Sequence, residues 1–113
     1  MGMLLIDPGR LRHAFSLQAA TPVGDGLGGH GEAWREVALV HGMVEPVRAR
    51  SVTSADQRLA TVTHQVTLRH RDGVRIGMRL KRRQRAFLIL TAYDPDQSGR
   101  YLVCQVEETG EVA

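Results

Sequence analysis

The histidines are the first candidates for a metal site in this chain. Four of the five lie in stretches with the alternating pattern of β-strands: His13, His41, His64 and His70. Strand histidines can meet in space and ligate an ion such as zinc. No two of them have a recognised ligand spacing, however, and no cluster of carboxylates accompanies them. The sequence therefore predicts surface or hydrogen-bonded histidines, with no metal site and no cofactor.

The one candidate thiol nucleophile is Cys104, which lies within the apolar run YLVCQV, residues 101–106. A thiol in such a run is usually buried and inert. A single cysteine forms no disulfide within the chain, which fits a reducing compartment. Asp94 and Asp96 stand in DPDQSGR, where Asp typically bonds to nearby backbone in a turn. With no Ser, Cys or His nucleophile motif, we predict that the chain is not an enzyme.

Basic residues are concentrated between positions 69 and 85, in a chain of net charge +3. They are Arg69, Arg71, Arg75, Arg79, Lys81, Arg82, Arg83 and Arg85. An acidic group near the end of the chain comprises Glu107, Glu108 and Glu111. Opposite poles of this kind could stack against neighbouring copies or partners, with the acidic patch as a docking surface. The basic block could instead face DNA, or be a solvated hairpin that keeps a sheet edge from aggregating.

Short apolar stretches separated by turn residues set the predicted elements. Strands are expected over residues 11–20, 34–47, 62–70, 74–80, 86–93 and 101–108, with a Gly-rich loop at 21–33, a short helix at 55–60 and a charged hairpin tip at 81–85. Gly42 suggests a bulge or a bend, and Pro46 an edge or the end of a strand. This pattern predicts an all-β fold, a small β-barrel or sandwich of about six to seven mostly antiparallel strands with one short helix and long polar loops.

The stretch THQVTLRHRDG, residues 63–73, has the clearest alternation. Its polar set, Thr63, Gln65, Thr67, Arg69 and Arg71, is expected to face a wet surface. The strands 37–44 and 86–93 are apolar on both faces, so one face of each is predicted to meet neighbouring copies.

We expect a single domain, residues 1–113, with flexible ends at about 1–8 and 109–113. The segment MGMLLIDPGR is not a signal peptide and nothing in the chain is apolar enough to span a membrane, so no membrane partner is expected.

The order of these pieces resembles the head–tail joining proteins of long-tailed bacteriophages, also called head-closure or stopper proteins. LRHAFSLQ is similar to the opening strand of that family, and EAWREVALVHGMVEPV to its Trp-containing strand with a Glu-Pro turn. THQVTLRHRDGVRIGMRLKRRQRAFLIL resembles its Thr-His-x-Val-Thr-x-Arg strand, Met-Arg hairpin and apolar strand. The likeness covers roughly residues 9 to 108. The chain departs from it at KRRQR, where the family often has a Gly-containing turn, and at His70, where an aromatic residue is common.

The resemblance implies a structural virion protein, in a phage or a gene transfer agent. Such proteins form a hexameric or dodecameric ring between the portal adaptor and the tail terminator or tail tube. The ring closes the capsid channel on double-stranded DNA without reading its sequence, and it offers the tail a docking surface. The protein would reside in the bacterial cytoplasm during assembly and afterwards in the particle neck.

Within that reading, the polar insertion Arg48–Ala60 is the candidate channel gate. Its proposed DNA-facing residues are Arg48, Arg50, Ser51, Thr53, Ser54 and Arg58. Because the insertion has few apolar residues to anchor it, its ordering on ring assembly is expected to cost little free energy and to be reversible.

Two alternatives stay open: a small OB-like nucleic-acid-binding barrel, or a tail-terminator ring protein. The OB type depends on aromatic stacking platforms, and aromatic residues are only 4% of this chain.

Overall fold

The computed structural model describes residues 8–24, 30–53 and 59–111. A 3-10 turn, Pro8–Arg10, precedes six strands. These are β1 (His13–Gly24), β2 (His30–Thr53), β3 (Leu59–Arg69), β4 (Arg79–Arg82), β5 (Arg85–Tyr93) and β6 (Tyr101–Glu111). No helix within these ranges is long and apolar enough to cross a membrane.

The strands close into one antiparallel barrel in the order β1-β2-β3-β6-β5-β4. Three residue pairs, from Ser16–Lys81 to Gln18–Arg79, join β1 to β4 and complete the ring of strands. The predicted all-β fold is confirmed. The predicted helix at 55–60 is wrong at its end, because Leu59 and Ala60 begin β3. Residues 54–58 lie outside the described ranges.

The core is formed by the inward face of each strand. Its members are Phe15, Leu17, Val40, Val66, Leu68, Met78, Leu80, Phe87, Ile89, Leu102, Cys104 and Val106. The alternation expected near residue 63 is confirmed at Val62, Val66 and Leu68, which are all buried. Thr67, assigned to the wet face, is only 2% exposed, so that expectation is wrong at this residue. It lies between Met43 and Val103 of the flanking strands, whose side chains share its face.

Two hairpin arms extend the barrel in opposite directions. Beyond Gln18, β1 pairs only with β2, which makes a β1–β2 arm of residues 19–24 and 30–36. Before His64, β3 pairs only with β2, which makes a β2–β3 arm of residues 47–53 and 59–63. The two arms contain the two ends of the same strand, β2, and the molecule is 54 Å long by 27 × 24 Å. The predicted loops at 21–33 and 48–60 are therefore largely paired strands.

β2 bends sharply just after Pro46. Its 24 residues would span roughly 79 Å if fully straight, longer than the molecule itself. Between the pairs Pro46–His64 and Arg50–Val62, three residues of β2 face Thr63 alone, a bulge that turns the strand. Pro46 was expected to end the strand or lie at an edge. It is instead inside β2, next to the position where the backbone ladder is already interrupted.

Thr63 ties the bend to the barrel. The pairing of β3 with β6 stops at His64–Val106. Beyond it, the Thr63 hydroxyl accepts a hydrogen bond from the Glu108 amide at 2.8 Å and donates to the Val106 carbonyl at 3.5 Å. The Thr63 side chain thus continues the contact between β3 and β6 beyond their last backbone pair.

The β2–β3 arm packs on the outer face of β5. Ala60 and Val62 of the arm form a second buried cluster with Leu90, to which Leu88, Val47 and Val52 add. Leu88 alternates with the core residues Phe87 and Ile89, so it points away from the barrel interior. The apolar outer face of strand 86–93 is therefore covered by this chain's own arm, and the predicted use of that face between copies is corrected. Of strand 37–44, by contrast, Val37 and Leu39 remain exposed.

The segment predicted as a strand at 74–80 is mostly a turn. β4 begins only at Arg79, and Gly73 and Gly77 before it have φ angles of 88° and 94°. The Ile89 amide donates to the Met78 carbonyl at 2.9 Å, which seats buried Met78 against β5. The hairpin tip is also tighter than 81–85, because only Arg83 and Gln84 lie outside the strands.

Gly42 does not mark a bulge, since its pairs with His13 and Leu68 are regular. A Cβ there would lie 2.6 Å from Leu68 Cδ2 and 2.8 Å from the Thr67 carbonyl oxygen. Close approach of two strands explains this glycine.

Candidate functional site

The residues that the structure describes do not gather into a metal-binding cluster. No group of three or more His, Cys, Asp or Glu side chains within them could hold a metal ion. His64 packs edge-on against Phe87, with ring centroids 5.4 Å apart, and its Nδ1 lies 2.9 Å from the Thr63 hydroxyl. His70 is exposed beyond the end of β3. Burial raises the pKa of the Cys104 thiol to about 12, as expected for an inert core residue.

The carboxylates of the 94–100 connection organise their own turn. Asp94 accepts hydrogen bonds from the amides of Gly99 at 2.7 Å and Asp96 at 3.3 Å. Asp96 accepts from the Ser98 amide and forms an ion pair with Arg100 at 3.2 Å. The local backbone role predicted for these residues is confirmed.

The basic run between residues 69 and 85 is divided between the two ends of the barrel. We call the end with the 70–78 and 94–100 connections the loop end, and the end with the β4–β5 turn the hairpin end. Arg69 and Arg71 lie at the loop end, since β3 finishes there beside the start of β6. Lys81, Arg82, Arg83 and Arg85 approach or form the hairpin end. Positions close in sequence are thus separated because the chain passes from the loop end to the hairpin end through Met78 and β4.

Arg79 holds the base of the β1–β2 arm. Its guanidinium lies 4.2 Å from the centre of the Trp34 ring, and its Nε donates to Gln18 Oε1 at 2.6 Å. Both partners belong to the two strands of that arm. Arg79, which was predicted to contact DNA or a neighbouring subunit, therefore has a structural role within the fold. Because Trp34 lies sixteen residues after Gln18, no local sequence pattern indicated this contact.

The acidic group lies at the hairpin end beside basic residues, so the two poles expected from sequence meet there. Arg85 Nε donates to Glu108 Oε2 at 2.7 Å, and its Nη2 to Oε1 at 3.3 Å. This hydrogen-bonded ion pair lowers the pKa of Glu108 and raises that of Arg85. Glu107 Oε2 accepts from the Thr61 amide at 3.3 Å, which adds another tie to the β2–β3 arm. The side chain of Glu111 lies outside the described residues.

The Arg85–Glu108 pair is partly solvated, so it contributes at most about 1 kcal/mol. Because the folded-state pKa of Glu108 is lowered, that contribution is present above the unfolded glutamate pKa. It is lost as the pH falls through the folded-state value.

The candidate gate residues occupy the β2–β3 arm. Arg48, Arg50, Ser51 and Thr53 are exposed on β2. Arg50 faces Val62 and Thr53 faces Leu59 in the register. Ser54 and Arg58 lie outside the described residues. Since Ala60 and Val62 anchor the arm to β5, the expectation of few apolar anchors is wrong.

Large apolar side chains are exposed at the loop end and along β2, and the sequence predicted only some of them. Val37, Leu39 and Ile76 are 41%, 63% and 50% exposed. The apolar character of 37–44 on both faces anticipated the first two, whereas Ile76 was assigned to a strand and lies in a turn.

Comparison with protein families matches residues 6–109 to the family described as phage head completion protein. Among solved structures, a chain of the "Virion of native gene transfer agent (GTA) particle" superposes with a TM-score of 0.64 at 24% identity. The superposition covers 88% of this chain and 96% of that one, and at this identity it supports the shared fold. Comparison with curated proteins gave no match. Because the family match spans nearly all of the barrel and both arms, this chain belongs to the phage head completion protein family.

Proposed function

We propose that this protein forms a ring in the neck of a phage or phage-like particle, between the portal adaptor and the tail. The family match over residues 6–109 carries the proposal, because it makes the chain a structural protein of such particles. The ring, hexameric or dodecameric, closes the channel on packaged DNA and offers the tail terminator or tail tube a docking surface.

The placement of the two arms supports a role for this protein as a connector between two other structures. β2 supplies one strand to each arm, and the arms leave opposite ends of the barrel. One protein can therefore reach partners on two sides without a second domain.

The β2–β3 arm is our candidate for contact with DNA in the channel. Arg48 and Arg50 are exposed on it, and arginine binds phosphate without reading bases. Since the described strands of the arm are anchored on β5, Arg48 and Arg50 are already presented on a packed strand. Arg82 and Arg83 at the hairpin end are further candidates for DNA or a neighbouring subunit.

The aromatic residues argue against the OB-like alternative. Phe15, Phe87 and Tyr101 are buried, and Trp34 stacks under Arg79. Tyr93 alone among the described aromatic residues is largely exposed. A single exposed ring provides no stacking platform for successive bases.

Electron microscopy of particles produced without this chain tests the proposal. We expect heads, filled or leaking, that are separate from complete tails. Normally joined, DNA-filled particles in its absence would refute a neck role.

The gating assignment has its own test in particles that carry Arg50→Glu. We expect joined particles that retain less DNA, because the reversed charge repels phosphate. Arg10→Glu is the control, since it reverses an exposed charge away from the arm. Unchanged DNA retention with Arg50→Glu would remove the arm from the gate.

A further inference from the structure

β2 has an edge without a strand neighbour. It pairs with β1 along His30–Gly42, and only from Gly42 onward does it also pair with β3. β3 ends at Arg69, and the next amide, that of His70, donates to the Arg100 carbonyl at 2.9 Å. Within the described ranges, β2 therefore has a strand on one side only from residue 30 to residue 41. Its other edge presents backbone groups that an added strand can pair with.

Two open grooves border this part of β2. The first, of about 500 Å³, lies between the β1–β2 arm and the 70–78 connection; Ala19 and Ala20 of β1, Arg35 and Val37 of β2, and Arg75 and Ile76 belong to its lining. The second, of about 440 Å³, is lined by Leu39, Val40 and His41 of β2, by Arg69 at the end of β3 with Arg71 after it, and by Leu11. Successive residues of β2 and of the 69–78 segment thus line successive grooves. We call the two together the β2 edge groove, which is roughly 20 Å long at 3.3 Å per residue from Arg35 to His41.

The lining of the β2 edge groove has an apolar middle and basic charges. Val37, Leu39 and Ile76 are the exposed apolar residues in it. The charged side chains of the lining are Arg35, Arg75, Arg69 and Arg71. The carboxylates of the same stretches, Glu36 and Asp72, are exposed and do not belong to the lining, so four arginines stand against two neighbouring carboxylates. An apolar centre with a charged surround is the arrangement of protein interfaces. The charged phosphate backbone of DNA would not cover those apolar side chains, so a protein segment fits this surface better than DNA does.

We propose that the β2 edge groove binds an extended acidic segment of a partner protein, which adds a strand to β2 along residues 35–41. Backbone hydrogen bonds to the open edge give the segment its direction and register. Alternate apolar side chains of the segment cover Val37, Leu39 and Ile76, and its carboxylates pair with the arginines. The proposal rests on the proposed function only in that a neighbour in the particle neck would supply the segment.

Binding of a synthetic probe to the purified full chain tests this directly. The probe is a fluorescein-labelled, acetylated peptide in which glutamate alternates with valine and leucine, followed by fluorescence anisotropy. We expect saturable binding that weakens with salt, and at least about tenfold weaker binding of the same peptide with lysine for glutamate. Equal binding of the two peptides would overturn the charge argument and with it the proposal.

Added-strand pairing has a separate signature. Alternate N-methylation of the probe in one register removes the amides that face β2, and in the other register those that face solvent. We expect the first pattern to abolish binding and the second to preserve it. If both patterns bind equally, no strand is added and the proposal fails.

The chain offers a matched pair of substitutions. Leu39→Asp removes an exposed apolar contact within the groove, and Leu59→Asp does the same on the β2–β3 arm, at 72% exposure. Because both residues are exposed, both variants should fold, as circular dichroism will show. We expect Leu39→Asp, and also Arg71→Glu, to weaken binding at least about tenfold, while Leu59→Asp binds as the unaltered chain does.

Other occupants are distinguishable. If deletion of residues 1–7 is needed before the probe binds, that segment of the same chain occupies the groove and the partner proposal is wrong. If the protein self-associates, and Leu39→Asp makes it monomeric, a second copy occupies it instead. Absence of probe binding alongside particles that lack joined tails would overturn this inference and leave the neck function standing.

Discussion

Burial alone makes the Cys104 thiol unreactive. The thiol lies in the barrel core, and its raised pKa leaves roughly one molecule in ten thousand as thiolate at pH 8. We expect almost no reaction of the native protein with an aromatic disulfide reagent at that pH, and complete reaction in denaturant. The chain has one cysteine, so the absorbance change reports on this residue alone. Rapid labelling of the native protein would show that the barrel opens there.

Gly42 is a second residue whose role is set by distance. In Gly42→Ala the new methyl group would contact the Thr67 carbonyl oxygen and Leu68 Cδ2. Because one of these atoms is backbone, the strands must move apart. We expect the free energy of unfolding in urea to fall by about 1–3 kcal/mol. If Leu68→Ala cancelled the whole effect in a double-mutant cycle, the clash would be with the side chain only.

Among the elements, the β1–β2 arm depends most clearly on one contact with a third strand. Arg79 of β4 stacks on Trp34 and bonds to Gln18, whereas beyond Gln18 the backbone pairing of the arm is between its own two strands and Ala19 packs against the core. We expect Arg79→Ala to shift the emission of Trp34, the one tryptophan, to longer wavelength. It should also cost about 1–2 kcal/mol of unfolding free energy. Arg83→Ala, at the β4–β5 tip, is the control, and an unshifted spectrum in Arg79→Ala would contradict the stacking role.

The elements also show what local pattern can and cannot predict. The faces of β3 near Val66 and the turn at 94–100 were predictable, because alternation and Asp–Gly turn chemistry are local properties. The arms were not, because RARSVT and HGEAW are polar or contain glycine. Their strand conformation comes from register partners, such as Thr61 opposite Ser51.

At the scale of the whole molecule, closure of the barrel joins parts of the chain that are distant in sequence. β1 meets β4 about sixty residues later, and β3 meets β6. Folding dominated by such non-local pairing is slow for its size. We therefore expect refolding from urea, followed by Trp34 fluorescence in a stopped-flow instrument, to take milliseconds to seconds. A microsecond phase carrying the full amplitude would contradict it.

Only part of the candidate site could be predicted from the sequence, because the rest depends on how the strands are arranged in the whole molecule. The family was accessible from motif order and is confirmed, whereas the ring and the DNA-facing arginines of the 48–58 segment remain predictions. The meeting of Arg85 with Glu108, and the separation of Arg69 from Arg82, depend on which way each strand runs around the barrel. Position along the chain does not contain that information until the strand order is known.

The continuity of β2 has a mechanical consequence. A pull between the two arms is directed along a single strand that is bonded to β1 over one part and to β3 over the other. Ladder hydrogen bonds stand perpendicular to a strand, so such a load shears many of them at once instead of opening them one by one. Tension between the two ends of the molecule is thereby shared across the barrel wall, with the bend after Pro46 as the place where the strand first straightens.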